Sequence, residues 1–175
     1  DWTDRATCVL FGDGAGAAVI EAGGDSPLAV ELSTAPDVET LCVPGLVGTS
    51  PFKASVDSES VLSMNGRRVF KFGVNAICDT VHKLASDAGI SVEDIDHFVF
   101  HQANERILSQ AVKRLGVPDK RVVRTLRETG NISSACIPLA LDRLANAGAL
   151  HTGDTITLVG FGAGLDIGGY LLRWK

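Results

Sequence analysis

The chain has 175 residues, 45% of them hydrophobic, and a formal net charge of −5 at pH 7. This size and apolar content are enough to bury one sizeable core, and the acidic balance argues against a general nucleic-acid-binding protein, although a local basic patch is compatible with it. Because the sequence has no apolar run long enough to cross a bilayer and no charged-then-apolar leader, we expect a soluble, cytoplasmic protein with no membrane partner.

The first predicted elements are two short strands. Residues 8–11 and 17–21 are apolar runs on either side of the glycine-rich residues 12–16. This pattern favours two antiparallel strands that are joined or bent at the glycines. A phosphate-binding loop would need these glycines to open a helix, and Gly23 and Gly24 stop the second run too early for that.

Residues 24–63 have a mixed pattern without a recognisable motif. One strand is possible at residues 29–32, and the prolines and glycines that follow break any long element. We interpret this segment as a variable connection that covers the mouth of a site.

A long amphipathic helix is predicted from Met64 to Ala88, because apolar residues recur there at steps of three and four, and Gly89 is a plausible stop. Ser91 has an acid three residues later, which predicts a capped helical turn. A strand at residues 96–100 then leads to His101, and a second helix follows at 104–115.

The last part of the chain continues the alternation of strands and helices. A strand is predicted at residues 121–126 and a helix at 133–146, with a kink or local break at Pro138. Two strands, 155–160 and 169–173, are joined through the small residues of 161–165. This order predicts an α/β fold whose sheet is covered on both faces.

Two polar side chains follow predicted strands, His101 directly and Asn131 after the glycine turn at Gly130. The carboxyl ends of strands share one edge of an α/β sheet, so the two side chains can converge on one crevice and donate hydrogen bonds to an oxyanion. The alternative is that His101 is a structural histidine and Asn131 a turn or cap residue.

Four stretches occur in an order that carries a family resemblance: DRATCVLFGDGAGAAVIE, FHQANERI, TGNISSACIPLAL and GFGAGLDIGGYLLRW. Together they resemble the β-ketoacyl-acyl-carrier-protein synthase III family of the thiolase superfamily, over nearly the whole chain and least clearly at residues 25–63. The resemblance implies a thiolase-like layered αβαβα sandwich, of which this chain would be the second half plus the last strands of the first. Residues 1–23 would be those strands, 24–63 the connection and 64–175 the C-terminal half.

The resemblance also implies the chemistry. In this family a cysteine takes an acyl group from acyl-coenzyme A, and malonyl-acyl-carrier protein then loses carbon dioxide and attacks the thioester. His101 and Asn131 would stabilise the enolate, while the cysteine would belong upstream of residue 1. We therefore expect acyl-coenzyme A, acyl-carrier protein and the missing N-terminal half as partners, a homodimer in the full protein, and no cofactor besides the coenzyme A thioester that serves as substrate.

Further residues match family positions with other roles. The resemblance implies a backbone oxyanion hole and pocket wall at Ala163 and Phe161, coenzyme A contacts at Arg5, Gly66 and Asn104, and carrier-protein docking at Lys71, Arg106, Lys113 and Arg114. A third glycine is common where this chain has Ala163, so any positive φ there would be strained. Phe161 could instead be a core residue, and the basic residues could be a solvated helix face.

The sequence argues against a metal site and leaves two alternative functions open. The four cysteines, Cys8, Cys42, Cys78 and Cys136, show no metal-type spacing with the four histidines, so we predict no metal site. Cys8 and Cys136 stand among apolar neighbours, which predicts buried free thiols. The intact Gly130-Asn131 favours condensation, with a thiolase-fold acyltransferase of secondary metabolism as the alternative. A catalytically incomplete fragment or subunit that lacks the nucleophile is the other alternative.

Overall fold

The centre of the fold is a four-stranded mixed sheet with the order β1-β6-β5-β4. The computed structural model describes residues 1–24, 26–43 and 61–175. In chain order the strands and α-helices are β1 (Ala29–Thr34), β2 (Leu41–Cys42), β3 (Ser63–Met64), α1 (Gly66–Ala88), β4 (His97–Phe100), α2 (Glu105–Leu115), α3 (Leu126–Thr129), α4 (Cys136–Asn146), β5 (Thr155–Gly162) and β6 (Asp166–Arg173). Single 3-10 turns lie at Val92–Asp94, Asp119–Arg121 and Ser133–Ala135.

Strand pairing in this sheet is parallel at one edge and antiparallel elsewhere. β4 pairs in parallel with β5, with Phe100 opposite Val159. β5 and β6 form an antiparallel hairpin, and β1 adds to β6 in the antiparallel direction. The predicted strand at 29–32 is therefore confirmed, and it belongs to the main sheet.

Helices pack on both faces of the sheet, which confirms the predicted α/β layering. On one face α1 buries Ile77, Val81 and Leu84 against the sheet and α2. On the other face Ala140 of α4 packs against Ile156 of β5. A fully buried apolar side chain stabilises a fold by about 1.5–3 kcal/mol, so the periodic apolar stripe of α1 holds it firmly in place.

The ends of the predicted helices are confirmed by their caps. The Asn65 side chain accepts a hydrogen bond from Arg68 N–H at the start of α1, and Gly89 ends this helix with a left-handed φ of 69°. Asn104 caps α2 in the same way, and the predicted capping box of Ser91 with Asp94 is present. No helix in the described part of the chain is both long and apolar enough to cross a membrane.

The predicted strand at 121–126 is wrong. Val122 forms a single bridge with Phe98, and the chain then turns into α3. The reason is that a side chain takes the backbone groups that a strand would use: Gln102 Nε2 donates to Val123 O at 3.1 Å and Gln102 Oε1 accepts from Thr125 N–H at 2.9 Å.

The predicted strands at 8–11 and 17–21 are also wrong. Within the described residues, Phe11 alone among these positions forms a bridge, with Asn131, and Val19 is 98% exposed. A strand exists only through hydrogen bonds to a partner, and these runs have none along most of their length. Residue 25 and residues 44–60 of the predicted connection lie outside the described residues, so the prediction that this connection covers the site stays a prediction.

Pro138 does not interrupt a helix, although a local break does occur before it. The predicted helix at 133–146 is split into the 3-10 turn Ser133–Ala135 and α4, which begins at Cys136. Pro138 therefore lies in the first turn of α4, where no backbone N–H is needed for the helical hydrogen bonds.

Candidate active site

A cavity of about 1120 Å³ opens at the carboxyl ends of β4 and β5. His101 follows β4 directly, and Asn131 follows α3 and its glycine turn. Both line this cavity, as predicted, although Asn131 reaches it from α3 and not from the end of a strand. Phe161, Ala163, Gly66, Asn104 and Arg106 line the same cavity.

His101 is held by a backbone hydrogen bond and by two contacts of its ring. Its N–H donates to Val159 O at 2.8 Å, which extends the pairing of β4 with β5 by one residue. The imidazole packs edge-on against the Phe161 ring, with centroids 5.2 Å apart, and its Nδ1 lies 3.0 Å from Cys136 Sγ. Burial lowers the pKa of His101 to about 4, so the ring is neutral at pH 7.

This lowered pKa predicts a specific loss of stability in acid. An unfolded histidine takes up its proton near pH 6.5, before the folded one does, so the free energy of unfolding falls as the pH drops from 6.5 towards 4. We expect His101 to account for about 3 kcal/mol of that fall, and His101→Gln to remove it. Denaturant unfolding at several pH values measures this. The same substitution at the exposed His82 is the control, and parallel pH curves for wild type and His101→Gln would contradict the prediction.

Asn131 is buried and fixed in orientation. Its Oδ1 accepts a hydrogen bond from Ser133 N–H at 3.0 Å, and Ser133 adopts a left-handed φ of 53° to reach it. This bond orients the amide and leaves the two Nδ2 hydrogens, together with one lone pair on Oδ1, for other partners. The cavity therefore has an amide donor at Asn131 beside the neutral imidazole of His101.

The glycine-rich segment 12–16 supports the Asn131 loop. Gly12 N–H donates to Asn131 O, and Asn131 N–H donates to Leu10 O, each at 3.0 Å. A β-carbon on Gly12 would run into the backbone carbonyl oxygen of Thr129, and one on Gly14 would lie 2.8 Å from Ile132 Cδ1. Glycine is required here because two stretches of backbone approach each other closely. The glycine-rich segment therefore has a structural role and is not a nucleotide-binding loop.

Gly12→Ala is expected to displace Asn131. The new β-carbon meets rigid backbone, so we expect about 1–3 kcal/mol of destabilisation and at least a tenfold loss of any activity that depends on the position of Asn131. Thermal melting and steady-state rates measure the two effects. Gly24→Ala is the matched control, because a β-carbon there has no atom within 4 Å. Equal melting temperatures and rates for the two variants would refute this role.

Phe161 and Ala163 form the wall next to His101. The Phe161 ring contacts Phe72 edge-on at 5.9 Å as well as His101, and Gly73 of α1 leaves room for it. The expected strain at Ala163 is absent: among described non-glycine residues φ is positive only at Ser133, and the left-handed turn of this loop falls on Gly164 at 140°.

The predicted basic residues are divided among several surfaces. Arg106 lines the cavity, whereas Lys71 lines a separate small pocket beside Asp37. Arg114 is engaged with Asn75 and Asp79 on α1. Lys113 lies in the last turn of α2, and Arg5 is next to Ala6, which lines the cavity.

Sequence reasoning missed two residues of this site. Gln102 is completely buried and joins the His101 loop to the segment before Asn131. Cys136, predicted to be a buried free thiol, is buried and its Sγ also contacts the His101 ring. Cys8, predicted to be buried as well, is only partly so. The position of Gln102 directly after a strand-end histidine was a signal in the sequence that could have indicated its role. The contact of Cys136 had no such signal, because it depends on where α4 begins.

Comparison with known proteins gives consistent matches along the chain. The family model for the 3-oxoacyl-[acyl-carrier-protein] synthase III C terminal matches residues 85–174, and the model for 3-oxoacyl-[acyl-carrier-protein] synthase III matches residues 1–36. The beta-ketoacyl-[acyl-carrier-protein] synthase III of Clostridium acetobutylicum is 43% identical over 178 residues, covering 99% of this chain and 54% of that protein. That of Gloeobacter violaceus is 42% identical over 180 residues, covering 99% of this chain and 55% of its own.

Solved structures agree with these sequence matches. The synthase III structure from Thermus thermophilus superposes with a TM-score of 0.84 at 38% identity, covering all of this chain and 55% of that one. The Pseudomonas aeruginosa enzyme gives 0.83 at 36% identity, with coverage of 100% and 54%. The fold is thus the thiolase-type α/β fold that the sequence predicted. The chain spans about half the length of the curated relatives it matches.

Proposed function

The chain belongs to the 3-oxoacyl-[acyl-carrier-protein] synthase III family, and from this premise we propose that the whole protein condenses an acyl-coenzyme A starter with malonyl-acyl-carrier protein to initiate fatty-acid synthesis. In this proposal the chain supplies His101 and Asn131, and the nucleophilic cysteine comes from the part of the family's length that this chain does not span. The observation that carries the proposal is that these two donors, from different elements, line one cavity.

The reaction needs a stabilised enolate. When the malonyl thioester loses carbon dioxide, the electrons of the breaking carbon–carbon bond pass to the thioester carbonyl, whose oxygen becomes negative. A neutral His101 and the Asn131 amide are preorganised donors for that oxygen, and burial makes each hydrogen bond stronger than it would be in water. The enolate carbon then attacks the acyl thioester, and the cysteine leaves as thiolate.

The rim of the cavity, formed by Gly66, Asn104 and Arg106, has residues that suit substrate binding. An arginine at such a mouth can pair with phosphate. We propose that this rim, with Arg5, takes the coenzyme A part. We further propose that Lys71, Arg106, Lys113 and Arg114 attract an acidic carrier protein. Arg106, which lines the cavity, is the member of this set whose position supports that role most directly. The family resemblance supports a homodimer in the cytoplasm as the working form.

The test uses the whole protein that carries this chain. It is incubated with acetyl-coenzyme A, its mass is measured under denaturing conditions, and the modified peptide is mapped. We expect one acetyl group on a cysteine outside residues 1–175, and its transfer to form 3-oxobutanoyl-carrier protein when malonyl-carrier protein is added. Absence of acetylation, or an acetyl-enzyme that malonyl-carrier protein does not discharge, would overturn the proposal and favour a catalytically incomplete protein or a different acyl acceptor.

A further inference from the structure

Cys136 is in direct contact with the reactive ring of the site. It is the first residue of α4 and only 1% exposed, and its Sγ lies 3.0 Å from His101 Nδ1. The same sulfur accepts the backbone N–H of Gln102 at 3.4 Å. The thiol therefore occupies one nitrogen of the imidazole and leaves Nε2 as the nitrogen available to a ligand in the cavity.

Both partners of this contact are neutral at pH 7. Burial raises the pKa of the Cys136 thiol, and burial lowers the pKa of His101 to about 4. A neutral imidazole carries one hydrogen, on either Nδ1 or Nε2. Only the form with the hydrogen on Nε2 can donate a hydrogen bond from the remaining nitrogen, so the choice between the two tautomers decides whether His101 can stabilise an oxyanion.

We propose that Cys136 is a positioning residue that holds His101 in the Nε2–H tautomer by donating its S–H to Nδ1. The sulfur already accepts a hydrogen bond from Gln102, and the hydrogen bonds of Cys136 within the described residues offer its thiol hydrogen one acceptor, which is His101 Nδ1. The opposite tautomer would place two donors on the sulfur and leave the buried thiol hydrogen without an acceptor, at a cost. The assignment of the tautomer stands on the geometry alone, and only its use in stabilising an enolate rests on the proposed function.

The same geometry argues that Cys136 is not the acyl-carrying nucleophile. A nucleophilic cysteine needs thiolate character and access to the substrate. Cys136 is protonated and 1% exposed, and its hydrogen bond points at the histidine. Cys136 lies behind the His101 imidazole and supports it. A third group orients the base of a catalytic triad in the same way.

Nitrogen-15 NMR of the histidine rings in the whole protein tests the tautomer without reference to activity. The His101 signals are assigned by their loss in His101→Gln. We expect protonated Nε2 and unprotonated Nδ1 in wild type and in Cys136→Ser, whose hydroxyl keeps a donor, and a mixture of tautomers in Cys136→Ala. Cys78→Ala is the matched control, because that buried thiol bonds Ala111 O on a different helix. A protonated Nδ1 in wild type, or an unchanged ring in Cys136→Ala, would overturn the inference.

The condensation rate is the second readout. We expect Cys136→Ala to lower kcat by about fivefold to tenfold with little change in KM, and Cys136→Ser to recover most of that loss, since one hydrogen bond selects the tautomer. A loss of equal size in both variants would count against the inference. If the whole protein proves inactive in condensation, the proposed function fails while the NMR result still decides the role of Cys136.

Discussion

Replacing Asn131 with aspartate is expected to lower the condensation rate by about a thousandfold or more while leaving the fold intact. An aspartate oxygen can still accept the Ser133 N–H that fixes the loop, so the turn survives. The change removes the Nδ2 donors and puts a carboxylate where the enolate oxygen develops negative charge. Loss of one oxyanion donor alone costs about 10²–10³-fold in rate, and the added charge increases that loss.

The measurement separates the two halves of the reaction. The rate of enzyme acylation by acetyl-coenzyme A should change little, because that step precedes enolate formation, whereas the rate with malonyl-carrier protein should collapse. The exposed Asn146, at the end of α4, provides the control substitution to aspartate. A condensation rate within threefold of wild type for Asn131→Asp would show that this amide does not serve as an enolate donor.

Gln102→Glu is expected to give the largest loss of stability. The side chain is completely buried and its Nε2 donates to Phe100 O at 2.9 Å and to Val123 O at 3.1 Å. A carboxylate would face both carbonyl oxygens without a hydrogen to offer, and an uncompensated buried charge costs about 3–5 kcal/mol. Denaturant unfolding of the whole protein at neutral pH measures this loss.

The pH dependence of the loss identifies its cause. Burial against two acceptors raises the pKa of the introduced carboxyl in the folded state above its ordinary value. The unfolded chain therefore releases the proton first as pH rises, so the variant loses stability relative to wild type from about pH 4 upward. In stronger acid a residual deficit of about 1 kcal/mol remains for the lost second donor. Gln110→Glu on the exposed side of α2 is the control, and a pH-independent deficit would point to a packing defect instead.

The sequence predicted those elements whose own residues determine them. The apolar stripe of α1, the glycine stops at Gly89 and Gly116, and the last hairpin are local patterns, and the structure contains them all. The convergence of His101 and Asn131 on one cavity was predicted from strand ends, and it occurs, although Asn131 follows α3 and not the predicted strand. The family resemblance added the roles of these residues, which stay predictions until they are measured.

The failures share a physical cause, which is that the decisive hydrogen bonds join distant parts of the chain. The apolar residues after Arg121 have strand propensity, but Gln102 captures their backbone groups. The apolar runs around the glycines also suit strands, yet those glycines serve to approach the Asn131 loop. Propensity cannot indicate which partner a backbone group will find, so tertiary context overrides it in both places.

The register of β4 on β5 sets where the backbone of His101 lies relative to β5. His101 N–H donates to Val159 O, and Phe161 follows Val159 by two residues along β5. The His101 and Phe161 rings lie 5.2 Å apart. Asn104 and Ala163, which also line the cavity, lie beyond these strands, in loops. Substitutions at these loop positions can therefore change the shape of the cavity while the backbone of His101 stays anchored to β5.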